Sequence, residues 1–136
     1  MVFENNDSVL HVACAVIFAD RNVLAVKRGP TMRMAGKWEF PGGKVEPGES
    51  PNVCIVREIK EELSMDITIL QQMDPVWHDY DDFTIKLIPF ICSSKQTDPL
   101  LTEHESYLWV GSDSILDLDW AEADLPLVSR LANELL

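Results

Sequence analysis

The stretch GKVEPGESPNVCIVREIKEEL, residues 43–63, decides how this chain folds. Its second half is a helix with a clear start signal. Ser50 offers a side-chain oxygen to the N–H groups of the first turn, and Pro51 at the first helical position lacks only an N–H that would have no partner there. At about 100° per residue, Val56, Ile59 and Leu63 fall on one stripe flanked by Val53 and Ile55, the expected core face. Glu58, Glu61 and Glu62 fall on the opposite side, within about 100° of one another. Like charges at these spacings repel by a few tenths of a kcal/mol per pair, and Arg57, four residues before Glu61, is expected to offset only that one. Such a face is either a solvated acidic surface or a holder for a hard divalent cation, which takes several carboxylate oxygens from one side. The preceding segment favours the cation. Gly42 and Gly43 supply a backbone free to adopt unusual torsions and expose its carbonyls, and Lys44 and Glu49 add charge to the same loop.

Working outward, residues 9–18 (VLHVACAVIF) are apolar and β-branched and read as a buried strand, turned by residues 20–22 into a second strand over residues 23–28. Residues 29–37 mix Gly, Pro and long side chains and read as a loop. Two further strands are expected over residues 65–72 and 83–94, separated by the acidic, aromatic loop WHDYDD at residues 77–82, with a short strand at residues 106–110. LPLVSRLANELL closes the chain as an amphipathic helix starting near Pro126. Strands alternating with two helices give an α/β (α+β) class, and 136 residues without repeats or linkers read as a single domain over residues 1–136.

The formal charge of −12 argues against a nucleic-acid polymer or an anionic membrane as a partner. It leaves room for a small anionic ligand, because a bound divalent ion reverses the field locally. Three widely spaced cysteines form neither a disulfide framework nor a zinc spacing and read as buried thiols in a reducing compartment. The N-terminal MVFENNDS has no cationic leader region, and the longest apolar run, residues 12–19, is too short to cross a bilayer, so a cytoplasmic protein is expected.

Gly43, Glu49, Arg57, Glu58, Ile59, Glu61, Glu62 and Met65 stand at the spacing Gly-x5-Glu-x7-Arg-Glu-U-x-Glu-Glu-x-Gly-U, where U is aliphatic. This resembles the Nudix box, with every charged position filled. Ser64 stands where the family has glycine; a serine in the left-handed geometry of a helix end costs about 1 kcal/mol, but no catalytic group is lost. AVKR, WEFPGGKVEPGES, EHESYLWV and EADLPLV extend the likeness over nearly the whole chain, toward the MutT-type branch that includes 8-oxo-dGTP diphosphatases and CTP pyrophosphohydrolases.

The resemblance implies a mixed sheet sandwiched between helices and hydrolysis of a nucleoside triphosphate to the monophosphate and pyrophosphate, assisted by Mg²⁺ or Mn²⁺. The substrate is a small nucleotide, oxidised, modified or cytosine-based, and the protein is a monomer or a homodimer. Glu58, Glu61, Glu62 and Glu105 are the implied metal carboxylates, with the Gly42 carbonyl as a further oxygen. Either Glu58 or Glu105 is the implied base. Glu49 and Arg57 read as a pair that fixes the loop against the helix, and His104 as a residue that holds its loop. Arg28 and Lys44 are placed to meet phosphates, with Lys27 directed to the other face of its strand. Glu39 and Phe40, with Trp38, belong to the substrate-binding segment, Phe40 either stacking on the base or packing in the core. Asp124 stands where the 8-oxo-dGTP branch has asparagine. Ionised, it suits an exocyclic amine; buried and protonated, it serves a guanine; its third possible role is to cap the last helix. Two other functions fit the same residues: hydrolysis of another nucleoside diphosphate joined to a second group, and binding without turnover.

Overall fold

The computed structural model describes residues 9–136; the N-terminal octapeptide discussed above lies outside the described residues. Eight strands form one mixed sheet: β1 (Val9–Ala19), β2 (Asn22–Lys27), β3 (Trp38–Glu39), β4 (Gly42–Lys44), β5 (Thr68–Gln72), β6 (Val76–Asp79), β7 (Thr84–Ser93) and β8 (Ser106–Val110). The order β3-β2-β1-β7-β5 carries β4 against β1, β6 against β7 and β8 against β2. At its centre β1 and β7 run parallel, in register from Val9↔Thr84 to Phe18↔Ser93. That pairing requires a long crossover, and helix α1 (Pro51–Leu63) lies within it.

Strand alternation builds two cores from one sheet. Ala13, Ala15 and Ile17 of β1 face Cys54, Ile55, Ile59 and Leu63 of α1. Cys14 and Val16 face Ile115, Trp120 and helix α2 (Leu125–Arg130), whose Leu127 and Val128 are buried. Helices therefore cover both faces, as expected. No helix of the described residues is long and apolar enough to cross a membrane.

Four expectations are corrected. Residues 77–82 are not all loop, because Val76–Asp79 pairs with β7 as an edge strand. Alternation keeps the acidic Asp79 and even Trp77 on its exposed side, so the charge that argued against a strand costs little there. On α1, Val53 and Val56 are exposed (59% and 42%), and Cys54 takes the core position instead. The buried stripe is Cys54, Ile55, Ile59 and Leu63, so it is centred nearer Ile55 than Val56. The strand expected from residue 65 begins at Thr68, and buried Met65 caps the α1 core instead. The terminal helix is α-helical only to Arg130, then continues as a π-turn over Leu131–Leu135.

Candidate functional site

Ser50 caps α1 through its hydroxyl, which accepts from Val53 N at 3.3 Å, and Ser64 ends the helix in the left-handed region at φ 55°, ψ 37°. Between these ends the acidic face is braced by one guanidinium. Arg57 donates Nε to Glu49 Oε2 (2.7 Å) and Nη2 to Glu49 Oε1 (2.9 Å), a two-point fork. Its Nη1 also reaches Glu58 (3.2 Å) and Glu61 (3.1 Å), so beside the expected Glu49 pair it offsets two of the helical carboxylates and not Glu61 alone. The fork and the Glu46 N–H hold the Glu49 carboxyl down at about 2. Glu58 is raised, chiefly because burial strips water from its carboxylate. Glu62 goes further, to about 8, through burial and then the nearby charges of Glu58 and Glu39. Its Oε1 is buried without a partner among the described residues.

The glycine pair serves this face differently from the expectation. Gly42 and Gly43 are strand residues of β4, paired with Cys14 and Ala13, and the left-handed glycines are Gly36 and Gly48. What needs glycine at 43 is space: a Cβ there would lie 2.3 Å from the Glu58 carboxyl carbon. The acidic helix is thus seated directly on bare backbone.

A cavity of about 260 Å³ opens beside it. Gly42, Gly43, Lys44 and Glu62 line it beside the acidic helix, and Asp124 and Phe40 line it together with apolar Leu10, Val12, Ile85 and Leu87. Arg28 and Glu39 also line it, within charge reach of both Glu62 and Asp124. Glu58, Glu61, Glu49 and Arg57 lie outside the lining. Among the described residues no three His, Cys, Asp or Glu side chains converge as a ready-made metal cluster.

Asp124 is buried, and its Oδ2 accepts from Phe40 N at 2.8 Å. Its side chain makes no capping bond to α2, which removes the helix-cap role. Burial first, and then the charge of Glu39, push its carboxyl up to about 8. The Phe40 ring is stacked on Trp120 at a centroid distance of 4.7 Å, in the core behind the cavity wall. Arg28 is bound on two sides: Nη1 to Glu39 Oε1 at 2.7 Å and Nε to the Arg33 carbonyl. Lys27 takes the other direction, 3.4 Å from Glu105, which lies outside the cavity lining.

Sequence reading missed the roof. Met32, Arg33 and Met34 from the loop before β3, and Tyr80 and Phe83 from the β6–β7 hairpin, complete the cavity. Arg33 lies over the Phe83 ring at 4.5 Å, joining the two loops, and the Tyr80 hydroxyl accepts from Ala123 N at 3.2 Å beside Asp124. The aromatics of residues 77–83 were the available signal, but only the hairpin pairing brings Tyr80 and Phe83 to the cavity and leaves Trp77 exposed.

Comparison with known proteins bears on the fold and the family. The sequence profile of the NUDIX domain matches residues 9–131. An 8-oxo-dGTP diphosphatase of Proteus vulgaris is 38% identical over 103 residues, covering 75% of this chain and 90% of that one. A CTP pyrophosphohydrolase of Escherichia coli (strain K12) is 31% identical over 120 residues, covering 88% and 89%. The crystal structure of MutT protein from Methanosarcina mazei Go1 superposes with a TM-score of 0.84 at 27% identity, over 93% of this chain and 94% of that one.

Proposed function

The chain belongs to the Nudix hydrolase family, and on that footing we propose that it hydrolyses a (deoxy)nucleoside triphosphate to the monophosphate and pyrophosphate with the help of a divalent ion, Mg²⁺ or Mn²⁺. One observation carries the reading: a single cavity joins the acidic helix, through Glu62, Gly43 and Lys44, to a buried hydrogen-bonding carboxyl on an apolar floor. The two ends suit a polyphosphate and a base.

The residues fit a divalent ion. Glu62 holds a buried oxygen with no partner, and like-charged Glu58 stands close enough to raise it further. A cation beside them supplies the missing partner and removes the repulsion. Glu58, Glu61, Glu62, Glu105 and the Gly42 carbonyl are the proposed holders. A bound ion would neutralise phosphate charge and make water a better nucleophile. The chain's own contribution is positional. The Glu49–Arg57 fork locks the loop to α1 and so orients Glu58. Arg28 and Lys44 bring positive charge to the phosphate end of the cavity. Glu58 and Glu105 are the two carboxylates proposed to take the proton of the attacking water.

Asp124 reads the base. With Oδ2 already accepting from Phe40, the free oxygen carries the proton below about pH 8 and donates into the cavity. A donor there matches guanine O6; once ionised, the same oxygen accepts from an amine such as cytosine N4. This favours an oxidised guanine triphosphate at neutral pH over a cytosine one. Purified protein with Mg²⁺ and a panel of canonical, oxidised and methylated (d)NTPs, ADP-ribose and dinucleotides tests the proposal through released pyrophosphate. Metal-dependent release is expected from triphosphates, guanine types leading; silence from every triphosphate overturns it.

A further inference from the structure

His104 sits in the loop before β8, outside the acidic helix and outside the cavity lining. Its side chain is 2% exposed, and Nε2 lies 2.8 Å from Glu39 Oε2. A carboxylate has no proton to offer, so the ring donates through Nε2–H. Among the described residues Nδ1 is buried without a partner, which leaves Glu39 as the one hydrogen-bond partner found there for an enclosed ring. Such a ring is placed to grip that carboxylate.

The grip spans three strands. β2 lies between β3, where Val26 pairs with Glu39, and β8, where Lys27 pairs with Ser106. The loop before β8 rests on the end of β2: Glu105 N–H donates to the Lys27 carbonyl at 2.8 Å, and a Cβ on Gly29 would meet the Glu103 carbonyl at 2.5 Å. From that seat His104 reaches over β2 to Glu39, whose other oxygen holds Arg28 at 2.7 Å. One carboxylate is therefore shared by the loop carrying Glu105 and by the arginine at the phosphate end.

We infer that His104 is a positioning residue: through its hydrogen bond to Glu39 it seats the loop that carries Glu105 and fixes the carboxylate that orients Arg28. The inference rests on the hydrolase reading above. Removing the bond frees one side of Glu39 and unpins the loop, so both the phosphate contact and the presentation of Glu105 suffer together. Losses of this supporting kind run to about 10–100-fold in activity.

The test compares His104→Leu with His104→Gln, whose amide nitrogen can donate to Glu39 from the same side, and with Glu39→Gln. Two quantities are read in each: kcat and KM for triphosphate hydrolysis with Mg²⁺, and amide hydrogen exchange at Glu105 in the metal-free protein. In His104→Leu, kcat should fall about tenfold or more, KM should rise, and the Glu105 amide should lose protection. His104→Gln should recover most of each. Combined in one double variant, the penalties of His104→Leu and Glu39→Gln should not fully add, because both act on the His104–Glu39 bond, while Glu39→Gln also weakens the ion pair with Arg28. Unchanged kcat in His104→Leu, unchanged Glu105 protection, or additive penalties would each overturn the inference. Failure of the hydrolase reading is separate, since it shows as absent turnover in the unmodified protein while the exchange data still report the seat.

Discussion

Glu49 and Asp124, carboxylates at the two ends of the site, are driven in opposite directions. Glu49 is held at about 2 by a guanidinium eight residues away in sequence. Asp124 is lifted to about 8 by burial, with its one N–H partner 84 residues away. The acidic core of the proposed phosphate end is thus built from one contiguous segment, residues 49–62, where helix periodicity does the assembling, while Arg28 and Glu39 join it from neighbouring strands. The base end is a nearly neutral site built from distant loops, where burial decides protonation. Chemistry and specificity are written at different ranges along the chain.

The sharpest way to break this division is to remove charge at the first end. Glu58→Gln should lower kcat by at least about 10²-fold, the scale of a lost general base, with pyrophosphate release as the assay. Glu105→Gln run beside it identifies the base: the deeper loss marks it, and near-normal turnover in either removes that residue from the mechanism. Next in size is Arg57→Lys, which keeps the charge but loses the two-point fork. A fall in kcat of roughly 10–100-fold is expected. Glu49 titrates lower folded than unfolded, so its pairing contributes above about 4.5 and is lost as pH falls through about 2. Acid unfolding, followed by circular dichroism, should therefore begin at a higher pH in Arg57→Lys. An unchanged acid transition would show that the fork is not what anchors the loop.

The second end is tested by pH. Going from pH 7 to 9 across an Asp124 value of about 8 cuts the protonated fraction and raises the ionised fraction, each roughly tenfold, so preference for guanine over cytosine triphosphates should fall by up to about 100-fold. Asp124→Asn, a donor at every pH, should hold the preference flat. A parallel pH profile in the variant would assign the change to another group. The same shift has a stability sign. A folded value raised from 3.8 to about 8 stabilises below about pH 4, and that contribution is lost as pH rises toward 8.

The same division explains what could be read before the fold was known. Ser50, Pro51, Glu49, Arg57 and the left-handed Ser64 were legible because each depends on neighbours within a turn or a short loop. The roof was not. Arg33 meets Phe83 and Tyr80 meets Ala123 through contacts that no local period encodes, and β6 exists only because β7 offers it an edge. Even on α1 the periodic stripe misplaced Val53 and Val56, since periodicity gives the width of an apolar face but tertiary packing sets its centre, here on Cys54, Ile55, Ile59 and Leu63. Asp124 was legible as a position but not as a protonation state, which follows from burial.

The smallest expected effect lies at the edge of the contiguous site. Ser64 holds φ 55°, and its N–H closes α1 on the Lys60 carbonyl at 3.1 Å. A non-glycine residue in this region costs about 1–2 kcal/mol. Ser64→Gly removes that strain but frees the unfolded chain, which takes back about 0.4–1 kcal/mol. The balance favours glycine by about 0.5 kcal/mol, or a Tm rise of about 1–3 °C by calorimetry. Turnover should not change, because Ser64 is exposed and its backbone closes the helix with either residue. A lower Tm would mean that the serine side chain stabilises the helix end, and a changed kcat would mean that this end is coupled to Glu61 and Glu62. Either result would erase the line between the strained edge of the acidic helix and the chemistry it carries.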